Sequence, residues 1–168
     1  MLHHYLWLYS KVIQNLSIRI KYFQYKVFNR IVFLNDTLFK LKVTNTEYCT
    51  FCYTVKETIE HLFYFCNFSR NIWSKIETWI SSPRFVLKFT PQNILFGYKE
   101  KRNDALNCII ILVKQQLYFS RLNKTVPDFK KIQKVIQTYY LDECYIYVMN
   151  GKMTDFTLKW SMFKHLFE

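Results

Sequence analysis

Four residues that can bind a metal lie within one short stretch at the centre of the chain. Cys49 and Cys52 are separated by two residues, His61 follows after eight more, and Cys66 after another four. Thiolates and imidazoles are the usual ligands of structural zinc sites, which are almost always four-coordinate and tetrahedral. This Cys-x2-Cys-x8-His-x4-Cys order therefore predicts one bound Zn2+, held by these four side chains.

Two other interpretations of the cysteines stay open. The chain holds five cysteines, which could include a disulfide pair or could be unrelated small hydrophobic side chains of the core. Cys108 and Cys144 fit the second description, because each lies in an otherwise apolar helical stretch. The N-terminus lacks a basic region and a small-residue cleavage site, which predicts an intracellular, reducing location and disfavours a disulfide.

The ligand spacing places a demand on the local backbone. Thr54-x-x-Glu57 is a capping-box pattern, which predicts that a helix starts just after Cys52 and carries His61. Residues five apart on an ideal α-helix point about 140° away from each other. Cys66 can therefore join His61 at one metal only if this helix ends or bends near Phe65.

The same residues carry a resemblance to a known family. They are Phe39-Lys40-Leu41-Lys42, Cys49-x-x-Cys52, Glu57-Thr58-Ile59-Glu60-His61-Leu62-Phe63-x-x-Cys66 and Trp73. Together they resemble the zinc-binding segment that follows the polymerase in LINE-type (non-LTR) retrotransposon reverse transcriptases. The similarity is densest from about Lys21 to Trp79.

This resemblance implies a C-terminal module of a protein that binds its RNA template and its target DNA, with zinc as a structural ion. It implies that Cys49, Cys52, His61 and Cys66 are the zinc ligands. It also implies that Glu57 and Thr58 shape the start of a helix, and that three core residues pack beneath the metal. These three are Leu62, Phe63 and Trp73.

Catalytic motifs are missing from the sequence. A polymerase needs carboxylates that hold two metal ions, usually including two adjacent aspartates, and no two aspartates are adjacent here. We therefore expect a non-catalytic chain, a fragment of a reverse transcriptase without its polymerase domain. Pro127-Asp128 could begin a restriction-like nuclease motif, but no Glu-x-Lys strand follows it, and helix initiation is the competing interpretation.

The charge favours polyanionic partners. The net charge is +12, and 20% of the residues are aromatic. Residues 49–83 are neutral, whereas both flanking stretches are basic. Lysine and arginine neutralise phosphates, and exposed rings such as Tyr22, Tyr25 and Tyr48 can stack on unpaired bases. The candidate phosphate contacts, each of which could instead belong to a solvated helix face, are Arg19, Lys21, Lys26, Arg30, Lys40 and Lys42.

Hydrophobic periodicity predicts a mainly α-helical fold, with a small CCHC zinc knuckle between two helical parts. One amphipathic helix is expected over Ile13–Phe33, and Asp36 is expected to cap a short second helix. A third is expected over residues 104–122, and a fourth is opened by Pro127 and ends at Asn150-Gly151. Residues 83–97 are expected to be non-helical, because residues 85–89 alternate loosely in hydrophobicity and are bounded by prolines.

These elements divide the chain into four predicted parts. Residues 1–44 form a helical connector, 45–82 the zinc-binding segment, 83–103 a linker or short hairpin, and 104–168 a C-terminal helical region. No apolar run reaches the ~18–20 residues that span a bilayer, so no membrane segment is expected.

The function expected from the sequence is binding of RNA or DNA, either template RNA or target DNA, in an intracellular ribonucleoprotein of the nucleus or cytoplasm. The alternative is a zinc-stabilised helical scaffold that docks onto other domains of a reverse transcriptase. A third interpretation is a decayed element copy without a present role.

Overall fold

The computed structural model describes residues 17–83 and 85–167, apart from the side chain of Lys101. Within these ranges the chain is mostly helical and forms no β-strand, only two isolated antiparallel bridges. These bridges pair Tyr48 with Lys56 and Ser82 with Phe85. The predicted fold class is confirmed, because the segment with the cysteines and His61 lies between helical parts.

The α-helices of the described residues are numbered here in chain order. They are α1 (Ile18–Phe28), α2 (Asn35–Lys40), α3 (Asn67–Ile80), α4 (Pro91–Phe96), α5 (Asp104–Leu122), α6 (Phe129–Met149) and α7 (Met153–Trp160). A π-helical segment, His61–Phe65, lies between α2 and α3. Turns of 3-10 helix span Lys101–Asn103 and Ser161–Leu166.

The central element is α5, which packs against α1, α6, α7 and the π-helical segment. Every residue from Ala105 to Gln115 is buried, so this helix is enclosed on all sides over three turns. The predicted apolar stripe is confirmed as core; it consists of Leu106, Ile109, Ile110, Val113 and Leu117. No helix in the described part of the chain combines the length and hydrophobicity needed to cross a bilayer.

One hydrophobic cluster runs through the molecule. It includes Val27 of α1, Cys66, Leu95 of α4, Ile109 of α5 and Trp160 of α7. The cysteine-bearing segment therefore shares its core with the C-terminal helices. Its position depends on contacts with residues far away along the chain.

The first helix ends earlier than predicted. Residues Ile13 and Leu16 of the predicted stripe lie outside the described residues, and α1 ends at Phe28. Arg30 adopts a left-handed φ of 56°, and the N–H of Ile31 donates to a carbonyl five residues back at 3.0 Å. This hydrogen bond closes the helix. Ile31 is consequently exposed, whereas the periodicity had placed it on the buried face.

Two predicted helix starts are shifted. Asp36 is not a cap, because α2 begins one residue earlier and Asp36 lies in its first turn, where it pairs with Lys40 at 3.1 Å. Helix α6 begins at Phe129, with Pro127 before it and Asp128 as its N-cap. The Asp128 carboxylate accepts a backbone N–H of the first turn at 2.9 Å. This is the role that the helix-initiation interpretation of Pro127-Asp128 predicts. The end of α6 at Asn150-Gly151 is confirmed.

The stretch expected to be non-helical contains a short helix, α4. Thr90 caps it by accepting the N–H of Asn93 at 3.2 Å, and Pro91 occupies its first position. The prediction for residues 83–97 was therefore wrong over Pro91–Phe96. The first residues of a helix have backbone N–H groups without a partner inside the helix. A proline at the first position, which lacks this N–H group, is therefore compatible with a helix start.

Candidate metal centre

Cys49 and Cys52 lie in a tight turn that backbone hydrogen bonds close. The N–H of Cys49 donates to the carbonyl of Val55 at 2.8 Å, and the N–H of Tyr53 donates to the carbonyl of Cys49 at 2.9 Å. Tyr53 has a φ of 57°, in the left-handed region that favours glycine. The left-handed residue turns the chain back on itself directly after the second cysteine.

The helix that carries His61 begins later than the sequence predicted. Thr54 does not cap it, because the Thr54 hydroxyl donates to Sγ of Cys52 at 3.4 Å. The cap is Thr58, whose hydroxyl accepts the N–H of His61 at 3.1 Å. The predicted Thr54-Glu57 capping box was therefore wrong. The turn continues to Lys56, which forms a bridge with Tyr48 and delays the helix.

A π-helical turn brings His61 and Cys66 to one site. The N–H of Cys66 donates to the carbonyl of His61 at 2.8 Å, five residues back instead of the four of an α-helix. The wider turn reduces the angular offset between the two residues. The backbone of Cys66 is extended, with φ −61° and ψ 133°, and begins α3. The interruption predicted near Phe65 is thus confirmed.

Side chains of α3 satisfy the carbonyls that the π-helical segment leaves free. The Ser69 hydroxyl donates to the carbonyl of Leu62, and Nε1 of Trp73 donates to the carbonyl of Phe63 at 2.6 Å. Leu62, Phe63 and Trp73 are at most 2% exposed, so these three are core residues as expected. Sequence reasoning did not find the role of Ser69, because a single serine at this spacing carries no signal.

The four candidate ligand atoms lie within 4.8 Å of one another. The Sγ atoms of Cys49 and Cys66 are 3.8 Å apart, and Sγ of Cys52 is 3.3 Å from Nε2 of His61. With Zn–S bonds of about 2.3 Å and Zn–N bonds of about 2.0 Å, a tetrahedral site places two sulfurs roughly 3.8 Å apart and a sulfur and a nitrogen roughly 3.5 Å apart. Both the donor set and its spacing therefore fit Zn2+.

Burial and hydrogen bonds shift the pKa values of the three thiols. Cys49 and Cys66 are almost fully buried. The hydrogen bond with Cys66, followed by burial, raises the pKa of Cys49 well above its ordinary value, and the same hydrogen bond lowers the pKa of Cys66. Burial acts to raise the pKa of Cys52. Hydrogen bonds to its sulfur, of which the one from the Thr54 side chain has the largest effect, outweigh burial, so the pKa is lowered. At Cys52 and Cys66 the lowered pKa favours the thiolate, which is the form that binds a metal.

Glu57 anchors the turn to the rest of the molecule. It is fully buried and accepts the backbone N–H of Thr50 at 2.7 Å, that of Asn35 at 3.0 Å, and Nε of Arg121 at 2.9 Å. Arg121 also donates to Oδ1 of Asn35 at 2.7 Å. Glu57 thus joins the cysteine turn to α2 and α5, a role different from the helix start that the resemblance implied. The sequence gives no signal for this contact, because Arg121 lies 64 residues away.

The predicted phosphate contacts lie on or beside the first two helices. Arg19, Lys21 and Lys26 are on α1, Arg30 follows it, and Lys40 and Lys42 are at the end of α2. Arg30 pairs with Glu60, and Lys40 pairs with Asp36 at 3.1 Å. Ion pairs as exposed as these contribute little free energy, so both cations remain able to bind a phosphate.

Comparison with known proteins gives one match. Residues 3–73 match the family model described as zinc-binding in reverse transcriptase. The matched range contains all four candidate ligands and ends at Trp73. No curated protein matches the chain. The family model describes a zinc-binding segment, which is distinct from the catalytic polymerase domain. Residues 3–73 of this chain are therefore similar to the zinc-binding segments of reverse transcriptases.

Proposed function

We propose that Cys49, Cys52, His61 and Cys66 hold one structural Zn2+, and that the chain is a non-catalytic, nucleic-acid-binding module. The observation that carries this proposal is the cluster of three thiols and one imidazole, buried except at Cys52, with its four ligand atoms within 4.8 Å. The ion would tie the cysteine turn to the π-helical segment. A structural zinc site contributes directly to folding free energy in small domains.

The wider assignment is a module of a LINE-type (non-LTR) retrotransposon reverse transcriptase. The resemblance around Cys49–Trp73 supports this. The partner is RNA or DNA, either the template RNA or the target DNA, and the setting is an intracellular ribonucleoprotein of the nucleus or cytoplasm. The supporting observations are the net charge of +12 and the cations on and beside α1 and α2.

Metal content tests the first half of the proposal. Elemental analysis of the purified protein should give one zinc per chain. Cys49→Ser and His61→Ala should each lose it, because three ligands bind a structural zinc much more weakly than four. Cys144→Ser is the matched control and should keep the zinc, since Cys144 lies on α6 outside the cluster. A folded wild-type protein without zinc would overturn the assignment.

Salt dependence tests the second half. For a single-stranded oligonucleotide, the logarithm of the binding constant should fall linearly with the logarithm of salt concentration. Arg19→Gln combined with Lys26→Gln should make that slope shallower by roughly one to two. Lys75→Gln, on the exposed face of α3, is the control and should leave the slope unchanged. Binding that is independent of salt would contradict the proposal.

The second candidate function is docking onto another domain of a reverse transcriptase. The segment between α1 and α2 favours it, because its residues alternate: Val32 and Leu34 are buried, whereas Ile31 and Phe33 are 47% and 55% exposed. The exposed pair presents apolar surface beside the zinc-binding segment. Ile31→Ser with Phe33→Ser should abolish binding to a separately produced LINE-type polymerase domain. If that affinity is unchanged, docking through this segment is refuted.

A further inference from the structure

Helix α1 has two unlike sides. Its inner side packs into the molecule through Phe23 and Val27, which are 8% and 4% exposed. Its outer side carries Ile18, Tyr22 and Tyr25, which are 81%, 58% and 50% exposed. These three residues are spaced by four and three positions and so share one helical face, called here the tyrosine face. Core packing does not explain large side chains on this face.

The two tyrosine rings are arranged as a stack. The ring planes of Tyr22 and Tyr25 differ by 9°, and their centroids are 6.4 Å apart. Nζ of Lys26 lies 4.5 Å from the centroid of the Tyr22 ring, within the range of a cation–π contact. Exposed rings beside a cation form the platform on which proteins stack the bases of single strands.

The charge of α1 indicates the chemistry of the partner. The helix carries Arg19, Lys21 and Lys26 and no acidic residue. A purely apolar partner would have to desolvate the charges of Arg19 and Lys26, whereas a phosphate backbone would neutralise them. Paired strands hide the faces of their bases inside the stack. Rings and cations together therefore suit a nucleic acid whose bases are unpaired.

We infer that the tyrosine face of α1 binds an unpaired stretch of nucleic acid, with Tyr22 and Tyr25 stacking on bases and Arg19 and Lys26 contacting phosphates. This inference rests on the proposed nucleic-acid binding and deepens it, because it specifies the state of the strand and the residues that select it. The flat rings contact any base, so the preference is for strand state and not for sequence.

The test compares ring removal with ring retention. Tyr22→Ala/Tyr25→Ala should weaken binding of a 12-nucleotide oligouridylate roughly tenfold or more, because each lost ring removes the stacking of one base. Tyr22→Phe/Tyr25→Phe should bind as the wild type does, since it keeps both rings. Tyr145→Ala is the control, an exposed tyrosine on α6 whose removal should change nothing. The salt slope should be the same in all four proteins.

Four probes separate this inference from the function on which it rests. They are the oligouridylate, the matching oligothymidylate, an abasic deoxyribose-phosphate chain of equal charge and a duplex of equal length. The inference expects the oligouridylate and the oligothymidylate to bind more tightly than the abasic chain and the duplex. The ratio of the affinities for the oligouridylate and the oligothymidylate measures the preference between RNA and DNA. Equal binding of the abasic chain, or no loss in the alanine variant, would overturn stacking while nucleic-acid binding stands. No binding of any probe would overturn both.

Circular dichroism and zinc content confirm that each variant is folded. The two rings are at least half exposed, so the alanine variant should keep the wild-type thermal midpoint within a few degrees. If the phenylalanine variant lost as much affinity as the alanine variant, the hydroxyl groups and not the ring faces would be responsible. That result would also overturn the inference.

Discussion

Tyr53 closes the cysteine turn in a conformation that costs a non-glycine residue free energy. Its φ is 57°, and its side chain is 72% exposed, so little packing offsets the cost. Tyr53→Gly should therefore be about 1 kcal/mol more stable than Tyr53→Ala, which keeps a Cβ in the left-handed region. Thermal unfolding of the zinc-saturated variants measures the difference. Equal midpoints would show that the backbone relaxes elsewhere.

The candidate ligands were predictable from the sequence because residue type and spacing identify them locally. Cys49, Cys52, His61 and Cys66 need only one turn and one helical segment to meet, and the structure brings them together. Ser69 was not predictable, since its hydrogen bond to the carbonyl of Leu62 arises only once the π-helical turn exists. Residues that meet within a local segment can be predicted from a local pattern. A hydrogen-bond partner that comes close only after folding cannot be predicted in this way.

At the scale of elements, periodicity located the helices better than it located their ends. The structure confirms α5 within its predicted bounds, but α1 ends before the predicted Phe33. The chain has only two glycines, so ordinary residues take the left-handed position after several helices. Arg30, Lys42 and Lys124 do so, with φ between 51° and 56°. Because these are basic residues and not glycines, no residue type marked the helix ends there.

Glu57 holds separate elements together, and its substitution tests that role. In Glu57→Gln the Arg121 guanidinium stays buried without its charged partner. We expect the free energy of unfolding to fall by about 3 kcal/mol, the usual cost of breaking a buried pair from one side. Urea unfolding of the zinc-saturated protein measures it.

The matched control is Glu60→Gln, three residues along the same segment. Glu60 pairs with Arg30, whose side chain is 62% exposed, so the expected loss is at most about 1 kcal/mol. If the two substitutions cost the same, Glu57 is not the link between the cysteine turn and α5. A double variant, Glu57→Gln with Arg121→Met, should be more stable than the sum of the single effects predicts, because both buried charges are removed together.

At the scale of the whole molecule, one charge that is buried in the central helix α5 is important for global stability. Lys114 lies in the middle of α5 and is fully buried, and its Nζ donates to the carbonyl of Leu95 at 3.3 Å. Among the described residues no carboxylate forms an ion pair with it. Burial lowers the pKa of Lys114 from 10.5 to about 7. The folded protein therefore holds this amine largely neutral above neutral pH, while the unfolded chain still binds the proton.

The consequence is a pH-dependent stability with a definite sign. Between about pH 7 and 10.5 the unfolded state binds one more proton than the folded state at Lys114. Stability should therefore rise with pH in this window, by about 1.4 kcal/mol per pH unit from this residue alone. Lys114→Met removes the charge and keeps most of the volume. It should exceed the wild type in stability most at pH 7, and the difference should shrink as the pH approaches 10.

Chemical unfolding at pH 7, 8 and 9, with zinc saturating, measures the difference between the two proteins at each pH. Lys75→Met, at an exposed position of α3, should differ from the wild type by an amount that does not change with pH. A constant difference for Lys114→Met as well would mean that Lys114 keeps its proton in the folded state. The amine would then need a compensating partner inside the core, and α5 would be held by polar contacts as well as by its apolar packing.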